Sequence, residues 1–201
     1  MGKNSNASDS GVWRVFCAIE IPADVAHLVA RHINKLQKGT LEGAASWSRP
    51  DKLHLTLKFL GNIERTLVPD LSTAASVATH RFGPFRISIG GTGTFPKHGP
   101  ARVLWLGIDD PTRGLSKLQQ RLEDACESQG FPHEERPFNP HLTIARVRKP
   151  EGARELGLTH RSLEFKPAEF TVSELIVIRS ELGKEGSKYS AVSRHLLQDD
   201  S

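Results

Sequence analysis

The tetrapeptide His-Leu-Thr-aliphatic occurs twice in this chain, as HLTL over 54–57 and as HLTI over 141–144, 87 positions apart. Around the first copy, apolar Leu53, Leu55, Leu57 and Phe59 alternate with polar His54, Thr56 and Lys58. This alternation is the period of a β-strand that buries one face. Roughly 0.02 such tetrapeptides are expected by chance in a chain of this composition. The repeat therefore predicts two related strands, one in each half of the chain.

Similar elements surround both copies. The first follows the apolar run WRVFCAIEI and an amphipathic helix that begins at Pro22, while the second follows RVLWLGIDD and a helix that Gly130 closes. Further strands are predicted over FRISIGGTGTF, FTVSELIVIRS and SKYSAVSRHLL, and a further helix over ERTLVPDLSTAASVATHR. This order predicts an α+β fold of two related lobes, each with an antiparallel sheet and flanking helices.

Length and composition set broad limits. The 201 residues suit one domain, which we expect over 12–201 after a disordered tail over 1–11. Lys and Arg exceed Asp and Glu by 27 to 23, a balance that mildly favours anionic ligands but is not that of a protein that coats nucleic acid. The two cysteines predict reduced thiols, and no apolar run reaches the roughly 18 residues of a membrane span. We therefore expect a cytoplasmic protein without a membrane segment.

The chemistry of the motif follows from the strand geometry. Residues i and i+2 point to the same side of a strand, so His54 lies beside Thr56, and His141 beside Thr143. If the lobes face each other, two imidazoles meet in one cleft. One imidazole can take a proton from water while the other gives a proton to a leaving oxygen. Threonine hydroxyls and nearby cations, Arg146 and Lys58, can bind a phosphate, and nothing in this scheme requires a metal or a cofactor.

Other candidate residues carry weaker signals. The remaining histidines occur singly, and no spacing typical of a zinc site is present, so we expect structural or solvated roles for them. These histidines are His27, His32, His80, His98, His133, His160 and His195. Three phenylalanines are candidates for contact with a base or ribose, although core packing is the commoner role. These are Phe16, Phe95 and Phe138, with Lys97 in the Gly/Pro-rich turn as a further candidate and with Trp47 and Trp105 expected in the core.

Several stretches in the right order resemble the RNA 2′,3′-cyclic phosphodiesterase family, also called the 2′-5′ RNA ligase family, within the two-histidine phosphoesterases. They are RVFCAIEIP, WSRPDKLHLTLKFLGN, ARVLWLGI, RPFNPHLTIARVR and IRSELGKEGSKYSAV. The resemblance implies a bilobal fold with a pseudo-twofold axis and metal-independent opening of a 2′,3′-cyclic phosphate to a 2′-phosphate. By this resemblance His54 is the proton donor and His141 the proton acceptor, while Thr56 and Thr143 bind the phosphate with help from Arg146.

Three readings of the function remain open at this point. The first is hydrolysis of a cyclic phosphate on an RNA end or a nucleotide by a monomeric enzyme, with weak 2′-5′ ligation as the reverse step. The second keeps the catalytic pair but takes a 2′-5′-linked oligonucleotide or another small cyclic phosphate. The third is a module that binds RNA ends without turnover, in which the same side chains hold phosphate.

Overall fold

A computed structural model describes residues 11–183 and 186–199 of the chain. Residues 1–10 of the predicted tail lie outside the described residues. The strands are β1 (Val12–Glu20), β2 (Ala45–Trp47), β3 (His54–Glu64), β4 (Phe85–Phe95), β5 (Val103–Asp109), β6 (His141–Val147), β7 (Ala168–Val172), β8 (Glu174–Gly183) and β9 (Gly186–Leu196). The α-helices are α1 (Ala23–Gln37), α2 (Val68–Thr79), α3 (Gly114–Ser128) and α4 (Ala153–Ser162).

The strands form two antiparallel sheets. One has the order β3-β1-β8-β9 and the other the order β2-β6-β5-β4-β7. Each sheet contains one His-x-Thr strand, β3 in the first and β6 in the second, and these two strands contact each other. In both sheets the motif strand pairs directly with the strand that comes before the preceding α-helix. Strand β3 pairs with β1, and β6 pairs with β5. The predicted α+β fold with two antiparallel lobes is confirmed.

The lobes do not correspond to the two halves of the sequence. The hairpin β8–β9 returns from the end of the chain to pair with β1, and β2 crosses to pair with β6. The stretch FTVSELIVIRS, predicted as one strand, divides at Ser173 into β7 and β8, which belong to different sheets. Strand β2 and helix α4 were not predicted, because three residues carry too little periodicity and the α4 segment contains few apolar residues.

The helices cover the sheet faces opposite the motif histidines. Helix α1 buries Val25, Val29 and Ile33 on one face, as its spacing predicts. Helix α3 buries its leucines fully and is followed by Gly130, which takes the left-handed conformation that glycine tolerates. Most buried side chains of both sheets belong to one continuous cluster, while Phe16, Ala18, Ile176 and Ile178 form a second, smaller one. The two sheets are therefore held together by a shared apolar layer on the side away from the cleft.

The described helices are short. The longest two, α1 and α3, have 15 residues each, and a membrane span needs about 20. Among the described residues, no helix has the length and the apolar character that would carry it across a membrane.

Candidate active site

Both motif strands contain a β-bulge at the same place. In β3 the residue without a pairing partner is Leu57, because Thr56 pairs with Ala18 while Lys58 pairs with Cys17. In β6 it is Ile144, because Thr143 pairs with Trp105 while Ala145 pairs with Leu104. The fourth residue of each motif is thus the bulged residue, and both are buried. This explains why an aliphatic side chain stands at that position in both copies.

The bulge decides which side chains reach the cleft. Before it, His and Thr point to one side and Leu to the other. The bulged residue and the residue after it are both buried, and the next residue is exposed again. In β6 the residue that returns to the surface is Arg146, which lines the cleft. Its placement beside the two motifs agrees with the sequence prediction.

Between the two sheets lies a cleft of about 590 Å³ that contains His54, Thr56, His141 and Thr143. The other residues that line it are Ser46, Trp47, Ser48, Arg49, Lys52, Phe59, Arg136, Arg146, Gly186, Ser187 and Tyr189. The two histidines, the two threonines and one arginine predicted from the sequence are therefore brought together. The cleft is rich in cations, which suits an anionic ligand.

The two imidazoles are oriented in the same way. Nδ1 of His54 lies 2.8 Å from the carbonyl oxygen of Lys52, and Nδ1 of His141 lies 2.8 Å from the carbonyl oxygen of Asn139. A carbonyl oxygen only accepts, so each Nδ1 carries the hydrogen and donates it. Each Nε2 is then the atom that gains or loses a proton. Both histidines consequently leave the same ring nitrogen, Nε2, available for acid or base chemistry.

Aromatic rings hold each imidazole from the side. The ring of His54 lies 4.8 Å from Phe16 and 5.4 Å from Tyr189, measured between centroids. The ring of His141 lies 5.0 Å from Phe95 and 6.4 Å from Trp105. These rings restrict the histidine side chains, so little conformational freedom is lost when a ligand binds. Phe16 and Phe95, named above as candidates for base contact, instead support the histidines, and Phe138 packs against the core.

The surroundings of His54 change its acidity. Burial lowers the pKa of His54 below its ordinary value, and the Arg146 guanidinium acts in the same direction, while the bond to the Lys52 carbonyl opposes them. Without a bound anion, His54 is therefore neutral at pH 7. A bound phosphate anion near Arg146 would raise this pKa again, so a ligand of that charge favours the protonated form of the site.

The prediction that Lys58 binds phosphate is wrong. Lys58 is the residue after the bulge, so it points into the protein, where its side chain is only 3% exposed. Its ammonium donates to the carboxylate of Glu123, itself 1% exposed, and to the carbonyl of Pro132, at 2.8 Å. The alternating pattern that placed Lys58 beside Thr56 does not continue through a bulge. For the same reason Phe59, expected in the core, is 48% exposed.

The Lys58–Glu123 pair anchors the segment that leads into β6. Besides the bond from Lys58 to Pro132, the Glu123 carboxylate accepts a hydrogen bond from the backbone N–H of Glu134, at 3.3 Å. Two residues later Arg136 reaches the cleft, with its guanidinium paired to the Glu134 carboxylate at 2.7 Å. A buried ion pair therefore fixes the path of the loop that brings Arg136 beside the catalytic groups.

Several residues of the cleft were missed in the sequence analysis. Arg136 is in a loop, Tyr189 is in the last strand, and Lys52 precedes the first motif. The Lys52 ammonium donates to the Ser187 carbonyl and so connects the turn before β3 to β9. No spacing links these residues, because they meet only through strand pairing. Trp47, expected in the core, is partly buried against it and also lines the cleft, since β2 pairs with the end of β6.

The next question is whether the described side chains could bind a metal ion. Within 11–183 and 186–199, no group of three or more His, Cys, Asp or Glu side chains is arranged to hold a metal ion. The cleft itself offers imidazoles, hydroxyls and guanidinium groups. These groups bind and protonate anionic oxygens, which is the chemistry that the site can perform without further components.

Two antiparallel sheets that each present a His-x-Thr strand to a common cationic cleft define a two-histidine phosphoesterase. The family model of the 2′-5′ RNA ligase superfamily matches residues 25–184. The chain belongs to this superfamily.

The relatives agree in length and fold. An RNA 2′,3′-cyclic phosphodiesterase of Methanothermobacter thermautotrophicus is 31% identical over 178 residues, which cover 88% of this chain and 95% of the relative. One of Thermotoga maritima is 30% identical over 89% of this chain and 92% of the relative. Among solved structures, E. coli LigT complexed with 3′-AMP is 26% identical, has a TM-score of 0.72 and covers 94% of this chain and 99% of LigT. A Thermus thermophilus protein reaches a TM-score of 0.77 at 26% identity, over 94% and 100% of the chains.

Proposed function

We propose that this protein hydrolyses the 2′,3′-cyclic phosphate at an RNA end, or on a nucleotide, to a 2′-phosphomonoester. The observation that carries the proposal is the matched pair of histidines, His54 and His141, whose Nδ1 atoms are both committed to backbone carbonyls. The curated relatives named for this activity support it. Opening a cyclic phosphate needs one base and one acid on opposite sides of phosphorus, and this cleft supplies two equivalent imidazoles.

The proposed reaction is an in-line displacement. His141 takes a proton from water through Nε2 as the water oxygen bonds to phosphorus. The bond between phosphorus and O3′ breaks, and His54 gives its Nε2 proton to O3′, which leaves as the 3′-hydroxyl. Thr56 and Thr143 donate to the two non-bridging oxygens, and Arg146 balances the charge on them. The 2′-phosphate stays on the ribose.

The acid and base roles are part of this proposal. His54 is assigned as the donor, and its environment supports that role once substrate is bound. The lowered pKa makes protonated His54 a stronger acid, while the anionic substrate next to Arg146 favours the protonated form. The same displacement with the 5′-hydroxyl of a second RNA end in place of water, and with O3′ again as the leaving group, would give the weak 2′-5′ ligation considered above.

The test is phosphorus NMR of a short RNA that ends in a 2′,3′-cyclic phosphate, in excess EDTA. The wild-type protein should produce a 2′-monophosphate signal. His54→Ala and His141→Ala should each lower the rate by about 10²–10⁴-fold. His27→Ala, at an exposed histidine of α1, is the matched control and should keep the wild-type rate.

The outcome also separates the alternatives. Unchanged cyclic phosphate with tight binding of the RNA would favour a binding module. Turnover of a 2′-5′-linked dinucleotide in preference to the cyclic phosphate would favour the second reading. Near-normal turnover in either histidine variant would refute the two-histidine mechanism.

We further propose that the protein acts as a monomer in the cytoplasm. Cys17 and Cys126 are buried free thiols, which suit a reducing compartment. Light scattering during size-exclusion chromatography tests the oligomeric state, and fluorescence microscopy of the tagged full-length chain tests the location.

A further inference from the structure

A second cavity, of about 390 Å³, lies between helix α1 and the segment 163–167 that joins α4 to β7. We call it the α1 cavity. Among the described residues, none lines both this cavity and the catalytic cleft. Its apolar wall residues are Leu28, Leu163, Phe165 and Pro167. The volume is within the range of about 300–1,000 Å³ that is common for small-molecule sites, so the cavity can hold the apolar body of an organic ligand.

The α1 cavity is also lined by a buried histidine, His32, which is only 4% exposed. The His32 ring packs edge-on against the Phe165 ring, with 5.4 Å between centroids. Nε2 of His32 lies 3.3 Å from Nδ1 of His160, while Nδ1 of His32 has no hydrogen-bond partner among the described residues. In this part of the chain, the side-chain nitrogens that are both closed to solvent and without a partner belong to two tryptophans. Nδ1 of His32 is therefore open to the cavity.

The neighbouring hydrogen bonds decide whether Nδ1 of His32 donates or accepts. Nε2 of the fully buried His160 lies 3.0 Å from the carbonyl oxygen of Trp105, which only accepts, so this Nε2 carries a hydrogen. Burial lowers the pKa of both histidines, to about 4 for His32, so both rings are neutral at pH 7. Nδ1 of His160 then accepts from Nε2 of His32, and Nδ1 of His32 is left as an acceptor. A ligand that donates an N–H or O–H to this buried acceptor would remove the cost of leaving it unpaired.

The mouth of the α1 cavity is positively charged. Arg31 and Lys35 stand about one helical turn apart on α1, about 6 Å along its axis, and Lys166 is on the opposite wall. All three side chains are exposed, and none of them forms an ion pair with another residue of 11–183 or 186–199. The acidic residue of the described lining is Glu164. Three cations and one anion leave a net charge of +2, which matches the charge of about −2 on a phosphate monoester.

We propose that the α1 cavity is a second ligand site, which binds a small planar organic phosphate that carries an amino group. This is the chemistry of a purine nucleoside monophosphate. The amino group donates to Nδ1 of His32, and the planar ring packs between Leu28 and Phe165. The phosphate lies at the mouth, among the three cations. The site is separate from the catalytic cleft, and its occupation does not require the reaction proposed above.

The test is an NMR titration with adenosine 5′-monophosphate, followed at the ring C–H signals of the histidines. The His32 signal is assigned by its loss in His32→Gln or, in the wild-type protein, by its nuclear Overhauser contacts with Phe165. Binding in the α1 cavity should shift this signal along a saturating curve. Binding in the cleft shifts His54 and His141 instead, so the two sites are measured separately. Purine riboside 5′-monophosphate, which lacks the amino group, should bind at His32 about 5- to 150-fold more weakly.

Variants at the mouth test the phosphate end. At low ionic strength the double variant Arg31→Gln/Lys166→Gln should weaken adenosine 5′-monophosphate about 2- to 30-fold at His32. Adenosine, which has no phosphate, should bind wild-type protein and this variant equally. Lys38→Gln, at an exposed lysine that follows α1 and is outside the described lining, is the matched control and should leave both affinities unchanged.

Three results would overturn the proposal. The first is a His32 signal that stays in place while His54 and His141 shift, which would mean that the nucleotide binds in the cleft alone. The second is equal affinity at His32 for the two nucleotides, and the third is wild-type affinity in the double variant. The titrations do not depend on turnover, so absence of hydrolysis would refute the proposed function without deciding this inference.

Discussion

The substitution Lys58→Ala tests whether Lys58 has a structural role or a catalytic one. In Lys58→Ala the Glu123 carboxylate stays buried, with 1% of its side chain exposed, and loses its counter-charge. Breaking a buried ion pair in this way costs about 3–5 kcal/mol, a large part of the stability of a typical domain. For a protein of this size the expected fall in melting temperature is about 6–20 °C.

The assay is urea unfolding monitored by circular dichroism. The slope of the unfolding free energy against urea concentration should be the same for the wild type and the variant. Lys117→Ala, on the exposed side of the same helix as Glu123, is the control and should change the free energy of unfolding by less than about 0.5 kcal/mol. The double variant Lys58→Met/Glu123→Leu removes both charges. It should recover most of the loss, but not the part contributed by the bonds to Pro132 and Glu134.

Activity gives the decisive comparison. At a temperature where Lys58→Ala is folded, kcat/KM should fall only modestly, because Lys58 acts on the substrate only through the segment that carries Arg136. A wild-type melting temperature together with a loss of activity of about 100-fold or more, the size expected for a catalytic group, would refute this reasoning. It would return Lys58 to the phosphate-binding role suggested by the alternating sequence.

Three other perturbations test the electrostatics of the protein. Arg146→Met removes a charge that lowers the pKa of His54, so the pH above which kcat/KM declines should move upward while the maximal rate falls; a pH–rate profile measures both. The buried histidine pair His32 and His160 has lowered pKa values, to about 4 for His32, because burial opposes their charged forms. On acidification the two imidazoles are protonated in the unfolded chain before they are protonated in the folded protein. The free energy of unfolding should therefore decline as the pH is lowered from about 6.5 toward 4, by at most about 1.4 kcal/mol per pH unit for each group. Urea titrations at several pH values measure this decline. Both cysteine thiols are buried, and burial raises their pKa values, so a chromogenic disulfide reagent should react with them only after unfolding.

The sequence predicts the strands, the long helices and the paired motifs because each has a strong local period. His54, Thr56, His141 and Thr143 lie where the period of two places them, and Arg146 lies beside them in the cleft. The resemblance to a family supplies what a local period does not, the placement of these parts in one fold. These predictions depend on local residues and on the order of the motifs along the chain.

The errors have a common physical origin. A bulge adds one residue to a strand without changing the residue pattern that precedes it, so the sides of Lys58 and Phe59 were exchanged. The division at Ser173 was missed for a related reason: β7 and β8 are separated by this one residue, and only long-range pairing decides which sheet each strand joins. Tyr189 reaches His54 by the same kind of pairing, between β8 and β9.

The return of the last hairpin to the first sheet has a consequence for biosynthesis. Strand β1 ends at Glu20 and is synthesised long before its neighbour β8, which begins only at Glu174. Until then β1 and β3 can form only a two-stranded ribbon, and such ribbons are marginally stable in water. The lobe that begins first is therefore completed last. Pairing over so long a separation slows folding, and the apolar residues of this lobe stay partly exposed until β8 is made.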